Sequence, residues 1–231
     1  FNNMSYLSSN QLKQYEDEGF VSPINIFSKD KAKEIRNEIE LIENNMPEEL
    51  ENSGRYNAHL ISPLLDEVTH NSKILDAVQS LIGKNILVCG TTLFIKNPYE
   101  KGFVSYHQDA KYIGLEPHNW VTAWVAITDS NEKNGCMRMW SGSHKENLKE
   151  HDEKFNEGNL LTRGQTVKNV PKLETTPLIL EAGQMSLHHP TVVHGSELNK
   201  SNDRRIGFVI QSYIGTNVKQ ILGKNSVQLA R

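Results

Sequence analysis

Cysteine is scarce in this chain. Its 231 residues include only Cys89 and Cys136, which do not form a C-x-x-C pair. The N-terminal stretch also lacks a basic segment followed by an apolar run and a cleavage site. These features argue against a disulfide framework. We therefore expect a cytoplasmic protein whose two cysteines stay reduced and lie in apolar strands.

Long apolar runs and an excess of basic charge are also missing. No stretch approaches the roughly 20 apolar residues that a membrane-spanning helix needs. The 25 basic and 28 acidic residues leave a net charge of -3, whereas nucleic acids and anionic membranes favour a strong basic patch. We therefore expect neither a membrane nor a nucleic acid as a partner. The sequence specifies no oligomeric state.

The length favours a single domain. Phe1 to Asn3 precede Met4 and are left out, so the expected domain runs from residue 4 to residue 231. Helical patterns fill residues 4 to 84, and short strand-like runs separated by turn residues fill residues 85 to 231. Residues 144 to 172 are polar and too long for a simple turn. We expect them to form an ordered lid over a cavity, with a mobile loop as the alternative.

Three helices are expected in the N-terminal part. Ser8 and Gln11 form a capping box that predicts a helix over about residues 9 to 18, and Ser28 can cap a second helix. The polar stretch Pro47 to His59 is expected to be a loop. Apolar residues at helical spacing define the second helix (Ala32, Ile35, Ile39, Ile42, Met46) and a third one that ends at Gly83 (Ile74, Leu75, Val78, Leu81, Ile82).

The remaining pattern indicates a mainly β fold. Helices that come first and strands that come later favour a β core with a helical buttress over a βαβ sheet. Seven or eight short strands suit a cupin-like double-sheet jelly roll, with the N-terminal helices packed on one sheet. A brief strand is also predicted over Phe20 to Ile24. Beyond residue 85, the predicted strands are Ile86 to Ile95, Val104 to Gln108, Val121 to Thr128, Cys136 to Trp140, Leu178 to Leu180, Met185 to His189, Thr191 to His194 and Ile206 to Ile214.

The stretch Tyr106-His107-Gln108-Asp109-Ala110 carries a candidate metal site. In a β-strand the side chains of His107 and Asp109 lie on one face, because successive residues alternate sides. Two imidazoles and one carboxylate form the facial arrangement that holds Fe(II) and leaves coordination positions open. A His-x-Asp tripeptide alone is also common among surface residues, so the site needs a second imidazole from elsewhere.

That imidazole and a guanidinium follow downstream. His194 comes after the strand-like Thr191 to Val193, where its side chain can point into the mouth of a barrel. Arg205 stands at the start of an apolar strand and can bind a carboxylate through two hydrogen bonds. Fe(II) with two neutral histidines and one aspartate is positively charged, and a bound dianion would make the site negative. A fixed cation nearby would then be stabilising.

Several segments match one known family in order and spacing over residues 86 to 214. They are Tyr106-His107-Gln108-Asp109, Val121-Thr122-Ala123-Trp124, Asn134-Gly135-Cys136-Met137-Arg138, Ser141-Gly142-Ser143-His144, and His194-Gly195-Ser196 with Asn199 and Arg205. Together they resemble the phytanoyl-CoA dioxygenase family of Fe(II)/2-oxoglutarate oxygenases, and Gly19-Phe20-Val21 adds a weaker match. The resemblance implies a double-stranded β-helix core with helices packed along one sheet.

The resemblance also implies roles for individual residues. His107, Asp109 and His194 would be the iron ligands. Arg205 would bind the distal carboxylate of 2-oxoglutarate with Ser196 as a hydroxyl partner. The two residues that would border this cosubstrate are Thr122 and Trp124.

Neighbouring residues compete for two of these roles. His188 and His189 compete with His194, but only His194 has an arginine at the matching downstream offset, so both are expected to be packed or hydrogen-bonded histidines. Arg204 competes with Arg205, and adjacent residues of a strand point to opposite faces. The spacing favours Arg205.

The implied function is a non-haem dioxygenase that uses Fe(II), 2-oxoglutarate and O2 to hydroxylate a C-H bond of a small-molecule metabolite. The reaction would convert 2-oxoglutarate to succinate and CO2. Asp109 fills the position that related halogenases leave to chloride, which favours hydroxylation over halogenation. One alternative is a cupin-like metal enzyme without 2-oxoglutarate, such as an isomerase or an O2-only dioxygenase. Another is a non-catalytic jelly roll that binds a small molecule.

Further residues near these motifs are weaker candidates. The side chains that could line a substrate cavity, with core or surface packing as the alternative, are Lys96, Tyr112, Trp120, Arg138 and Arg163. His144 is expected in a turn. The histidines without a partner pattern, which are expected to be solvated, are His59, His70, His118 and His151.

Overall fold

The computed structural model describes residues 6–52, 55–161, 165–224 and 226–231. The helices are α1 (Ser9–Glu18), α2 (Lys29–Asn45), α3 (Pro47–Asn52), α4 (Pro63–Thr69), α5 (Ser72–Ile82) and α6 (Ala110–Ile113). The strands are β1 (Phe20–Asn25), β2 (Ile86–Val88), β3 (Thr91–Lys96), β4 (Val104–His107), β5 (Leu115–Glu116), β6 (Trp120–Ala126), β7 (Met137–Met139), β8 (His151–Asp152), β9 (Thr166–Val167), β10 (Thr176–Pro177), β11 (Gln184–His188), β12 (His194–Ser196), β13 (Arg205–Gly215), β14 (Lys219–Gln220) and β15 (Gln228–Leu229). Among these residues, no helix combines the length and the apolar character needed to cross a membrane.

Two antiparallel sheets form the core. The larger sheet has the order β1-β11-β6-β13-β2-β15, with β3 also paired to β13, and the smaller sheet has the order β10-β7-β12-β4. Neighbouring strands are mostly distant in sequence, as in a jelly roll. Within the described residues the sheets do not close into a barrel. The predicted jelly-roll core is confirmed.

Alternation along the central strands separates two apolar layers. In β6, Val121, Ala123 and Val125 belong to the main core, which also contains the apolar faces of α2 and α5. Trp124 and Ala126 point the other way and pack between the two sheets. Each fully buried Val or Ile side chain contributes about 1.5–3 kcal/mol. The helices are therefore held on the outer face of the larger sheet, and its inner face is left for the site.

The predicted helices are found, but one predicted loop is wrong. α1 has the expected capping box of Ser8 and Gln11, Ser28 caps α2, and Gly83 ends α5. The stretch Pro47 to His59 was expected to be irregular, yet its first six residues form α3. Proline at the first position and acidic residues in the first turn favour a helix start, even where no apolar periodicity is present.

Two predicted strands are also wrong. Leu178 to Leu180 is not a strand, because β10 ends at Pro177 and Leu180 forms only a single bridge to Ser130. Thr191 to Val193 form a turn, and β12 begins at His194. The chain turns here because Pro190 has no backbone N–H for a strand ladder, and the backbone N–H of Val192 donates to the carbonyl of His189 instead.

Candidate metal centre

Two histidines face each other where β4 ends and β12 begins. His107 and His194 are direct partners in the β4–β12 ladder, and their ring centroids lie 4.2 Å apart. β4 ends at His107, so the expectation that Asp109 continues the same strand is wrong. Asp109 has helical backbone angles (φ -57, ψ -40) and precedes α6. The turn at Gln108 still brings the carboxylate beside both imidazoles.

The three side chains are spaced for a shared metal ion. Asp109 Oδ1 lies 3.3 Å from His107 Nε2 and 3.7 Å from His194 Nε2. One ligand atom from each residue lies within 4.8 Å of the others. Two ligands at roughly 2.1 Å from one metal and at a right angle lie about 3 Å apart. The arrangement therefore fits one ion with three ligands on one side.

Backbone carbonyls fix the orientation of both imidazoles. His107 Nδ1 lies 2.8 Å from the Ser105 carbonyl, and His194 Nδ1 lies 3.1 Å from the Val192 carbonyl. A carbonyl can only accept, so in each ring Nδ1 carries a proton, and the neutral ring then has its lone pair on Nε2. Such contacts orient metal-binding histidines. Both lone pairs are thus available toward Asp109.

The two oxygens of Asp109 have different neighbours. Oδ1 faces the two imidazoles, whereas Oδ2 lies 2.9 Å from Thr122 Oγ1 and 3.3 Å from His188 Nε2. Burial alone would raise the pKa of Asp109, but His194, His107 and His188 together hold that pKa well below its usual value. The carboxylate is therefore ionised at neutral pH, with Oδ1 available for a metal.

The histidine on β12 is neutral at the same pH. Burial, reinforced by His107, holds the pKa of His194 well below its usual value. A metal ligand must be a neutral imidazole, so this environment favours ligation.

A cavity of about 300 Å³ opens beside the three side chains. The predicted site residues that line it are His107, Asp109, Thr122, Trp124, His194, Ser196 and Arg205. The structure thus brings all seven together, while their roles stay predictions. Other lining side chains include Tyr56, Tyr112, Leu161, Gln165 and Gln211.

Arg205 reaches the cavity because of the alternation in β13. Ile206 and Phe208 belong to the main core, so Arg205 points to the inner face. Its Cζ lies 5.2 Å from the Trp124 ring, which passes so close to Gly207 that a Cβ there would come within 2.2 Å of Trp124 Cζ2. Glycine at residue 207 is therefore required by this packing.

The guanidinium of Arg205 is buried and only partly bonded. Nη1 donates to the Gly135 carbonyl at 3.0 Å, and Nε is buried without a hydrogen-bond partner. Burial lowers the pKa of Arg205 to about 10, which leaves it a cation at neutral pH. Arg204 has a different environment, since it forms ion pairs with Glu43 and Glu40 outside the cavity.

The competing histidines also point to different places. His188 is 1% exposed and contacts Asp109, so it is a hydrogen-bonded histidine, as expected. His189 lies outside the cavity lining and bonds Thr191 Oγ1 through Nδ1. Burial, followed by His144 and His118, lowers the pKa of His189 to about 4.

The weaker candidates have mixed outcomes. Tyr112 lines the cavity, whereas Trp120 packs in a separate apolar cluster and Arg138 pairs with Glu132 and Thr175. Lys96 is buried behind Ser196. Arg163 lies outside the described residues. The expectation that His59 and His151 are solvated is wrong, because they are 5% and 8% exposed and are held by hydrogen bonds.

Gln108 is a structural residue of the site that sequence analysis missed. Its Nε2 donates to the Thr191 carbonyl at 2.6 Å, and its Oε1 accepts from the Lys149 backbone at 2.8 Å. Its own backbone N–H donates to His151 Nε2 at 3.1 Å. The only sequence signal was its position between the candidate ligands His107 and Asp109, because neighbouring residues of a strand point to opposite faces. Gln108 therefore joins the turn between His107 and Asp109 to two other segments.

The polar segment from residue 144 to 172 contributes to the cavity wall. Leu161 and Gln165 line the cavity, and β8 and β9 form a short antiparallel pair within the segment. Residues 162 to 164 are outside the described part. The function of residues 144 to 172 as a lid stays a prediction.

Comparisons with known proteins agree with this geometry. The family described as Phytanoyl-CoA dioxygenase (PhyH) matches residues 15–207. "Phytanoyl-CoA dioxygenase domain-containing protein 1 homolog" of Dictyostelium discoideum is 29% identical over 69% of this chain and 58% of its own length. "Probable alpha-ketoglutarate-dependent hypophosphite dioxygenase" of Stutzerimonas stutzeri is 25% identical over 92% of this chain and 80% of its own length.

A solved structure also has the same fold. The structure described as "non-heme monooxygenase; ThoJ apo" superposes with a TM-score of 0.84, at 30% identity, over 95% of this chain and 82% of that chain.

The match to the Dictyostelium relative spans less than two thirds of that relative's length. The family match covers most of the chain, including every candidate ligand and Arg205. This chain therefore belongs to the phytanoyl-CoA dioxygenase (PhyH) family.

Proposed function

We propose that this protein is a non-haem Fe(II)- and 2-oxoglutarate-dependent dioxygenase that hydroxylates a C-H bond of a small-molecule metabolite. The observation that carries the proposal is the convergence of His107, Asp109 and His194 beside a cavity that also contains the buried cation Arg205. Two similar proteins, named as a probable alpha-ketoglutarate-dependent hypophosphite dioxygenase and a non-heme monooxygenase, support it.

The donor set fits Fe(II). Two imidazole nitrogens with lone pairs and one carboxylate oxygen, all on one side, form the facial triad of non-haem iron oxygenases. Thr122 and His188 hold Oδ2 of Asp109, so the carboxylate presents Oδ1 alone. The remaining coordination positions would face the cavity.

The cavity also fits 2-oxoglutarate. The unpartnered Nε of Arg205 is a buried donor that requires an acceptor, and a carboxylate is the acceptor a guanidinium binds best. In this proposal Arg205 and Ser196 bind the distal carboxylate, and Thr122 and Trp124 border the cosubstrate. The chemistry that Fe(II), 2-oxoglutarate and O2 supply together is oxidative decarboxylation to succinate and CO2, coupled to oxygen insertion into a C-H bond.

The chain's own residues would bind, orient and shield the reactants. Asp109 lowers the net charge of the metal site, and the fixed imidazoles set the direction of the open positions. Tyr112 and Leu161 supply apolar wall beside the site, where they would keep bulk water away. The cavity volume of about 300 Å³ suits a small substrate or the reactive part of a larger one.

The test is succinate formation under controlled loading. The protein is purified without oxygen, loaded with Fe(II) and 2-oxoglutarate, exposed to O2, and assayed with a panel of candidate small molecules. We expect succinate in excess of a metal-free control, and we expect a substrate to increase it. The matched variants are His107→Ala, which removes a proposed ligand, and His189→Ala, which removes a nearby histidine outside the cavity. No succinate from any mixture, together with an iron spectrum that 2-oxoglutarate does not change, would contradict the proposal.

A further inference from the structure

Two basic side chains are buried as direct neighbours beside the cavity. Lys96 of β3 and Arg205 of β13 are paired across the two strands, and they are 0% and 1% exposed. Residues directly opposite in antiparallel strands point to the same face, and like charges in that position repel each other. In the described part of the chain, neither side chain lies within salt-bridge distance of a carboxylate. The pair therefore has no carboxylate in direct contact.

The contacts of Lys96 determine how Ser196 can bond. Lys96 Nζ donates to Ser196 Oγ at 2.7 Å, to the Gly135 carbonyl at 3.3 Å and to the Glu197 carbonyl. When Lys96 is charged, its ammonium group is only a donor, so Ser196 Oγ accepts from it. The single hydroxyl proton of Ser196 is then left to donate, and Ser196 lines the cavity.

The Gly135 carbonyl connects the two cations. It accepts from Lys96 Nζ and from Arg205 Nη1 at 3.0 Å. Gly135 has a φ of +76, and a Cβ there would lie 2.3 Å from the Glu197 carbonyl oxygen. Only glycine allows this close approach. The backbone is thus shaped to hold Lys96 and Arg205 at one end of the cavity.

We propose that Lys96 is a positioning residue for a dianionic cosubstrate, which turns the Ser196 hydroxyl toward the distal carboxylate and supplies a second positive charge beside Arg205. The inference rests on the proposed function, because the dianion is 2-oxoglutarate. The metal and Asp109 leave a net positive charge that matches the first carboxylate. Lys96 and Arg205 match the second.

The electrostatic environment makes this arrangement depend on pH. Burial, followed by the charge of Arg205, lowers the pKa of Lys96 to about 6, while Glu197 and Cys136 act in the opposite direction. Lys96 is then largely neutral at pH 7.5 in the absence of the dianion. A carboxylate bound nearby raises its pKa, so binding takes up a proton. Affinity for 2-oxoglutarate should therefore fall as pH rises above about 6, by up to about tenfold per pH unit.

Anaerobic titration calorimetry measures this proton directly. The Fe(II)-loaded protein is titrated with 2-oxoglutarate at pH 7.5 in two buffers of different ionisation enthalpy. We expect uptake of about one proton per 2-oxoglutarate bound. The second probe is 2-oxopentanoate, which keeps the 2-oxo acid end but lacks the distal carboxylate. It should bind without this uptake.

Variants separate the role of Lys96 from general stability. Lys96→Met keeps the length of the side chain and should weaken 2-oxoglutarate binding roughly 10- to 100-fold, abolish the proton uptake and leave 2-oxopentanoate binding unchanged. Ser196→Ala should weaken binding but keep the uptake. The matched control is Lys133→Met, which removes an exposed lysine close in sequence to Gly135. It should behave as the parent protein.

The outcomes distinguish this inference from the proposed function. If Lys96→Met binds 2-oxoglutarate as tightly as the parent protein, or weakens 2-oxoglutarate and 2-oxopentanoate binding equally, the inference is wrong and the proposed function stands. If Lys96→Met does not fold, Ser196→Ala decides, because the inference requires this variant to weaken binding of 2-oxoglutarate and not of 2-oxopentanoate. If the parent protein does not bind 2-oxoglutarate at all, both the inference and the proposed function are wrong.

Discussion

Asp109 has a distinct bonding pattern at each of its carboxylate oxygens. Thr122 and His188 contact Oδ2, and the imidazoles of His107 and His194 lie near Oδ1. Contacts behind a ligand typically change metal affinity by 10- to 100-fold, whereas loss of a ligand removes a bond to the metal itself. The structure therefore predicts two sizes of effect on metal affinity, a large one for the candidate ligands and a smaller one for the residues that contact Asp109 from behind.

We expect these two levels in Fe(II) affinity. His107→Ala and Asp109→Ala should each weaken binding by more than 100-fold, and His188→Ala should weaken it roughly tenfold because Asp109 loses one orienting contact. Equilibrium dialysis without oxygen measures all three. His189→Ala is the matched control, since the His189 side chain lies outside the cavity. The Fe(II) affinity of this variant should equal that of the parent protein. Equal losses for His188→Ala and Asp109→Ala would mean that His188 is itself a ligand.

Truncation of the adjacent residues Arg204 and Arg205 should affect different properties of the protein. Arg205→Ala removes a buried donor from the cavity and should weaken 2-oxoglutarate binding by about 3 kcal/mol, which is roughly 100-fold. Arg204→Ala breaks half-buried ion pairs with Glu43 and Glu40, so it should leave binding unchanged and cost at most about 1 kcal/mol of unfolding free energy. Calorimetry and urea denaturation measure the two effects. Metal-dependent activity that survives Arg205→Ala intact would favour an enzyme that does not use 2-oxoglutarate.

Gln108 connects several elements around the site through hydrogen bonds. Its side-chain amide forms hydrogen bonds with the turn before β12 and with the backbone of Lys149. One amide group therefore connects the end of β4, the start of β12 and the polar segment. Its backbone also donates to His151. The residue between His107 and Asp109 thus connects elements that are far apart in sequence.

Gln108→Ala should loosen this connection. It leaves a buried carbonyl and a buried N–H without partners, which should cost about 1–3 kcal/mol. Hydrogen exchange should become faster in residues 146 to 152, and Fe(II) affinity should fall. Gln184→Ala is the matched control, because Gln184 also makes two hydrogen bonds but lies away from the cavity. Unchanged exchange in residues 146 to 152 would contradict the proposed connection.

Local signals predicted some elements well and failed at others. Ser8 and Gln11 fixed the start of α1 because a capping box acts within one turn. α3 was missed because its single apolar residue, Leu50, shows no periodicity, and the strand expected over Thr191 to His194 begins only at His194, after the turn at Pro190. Helix ends depend on neighbouring residues, whereas a short strand depends on a partner that the sequence does not identify.

The whole site follows from strand pairing across the molecule. The residue types of the site were predictable, but the direct pairing of His107 with His194, and of Lys96 with Arg205, was not. The contact between Asp109 and His188 was also unexpected, because it requires β11 to lie beside β6 in the larger sheet. These contacts depend on register between strands about 60 to 110 residues apart, which local periodicity does not encode.

The buried histidines should make the metal-free protein sensitive to acid. Burial lowers the pKa of His59, His144, His151, His189 and His194. The unfolded chain takes up protons on these residues below about pH 6.5, while the folded chain takes them up only at lower pH. Stability should therefore be level above pH 7 and should fall as pH decreases toward 5, by about 1.4 kcal/mol per pH unit for each excess proton bound by the unfolded chain.

Urea denaturation between pH 5 and pH 8 measures this slope. His189→Gln removes a histidine whose pKa is about 4, so the slope between pH 6 and pH 5 should decrease by close to one proton. The low pKa of Asp109 acts in the same direction but only below its usual value near 3.8, outside this range. A free energy of unfolding that stays constant from pH 8 to pH 5 would mean that these histidines are as accessible to protons in the folded protein as in the unfolded chain.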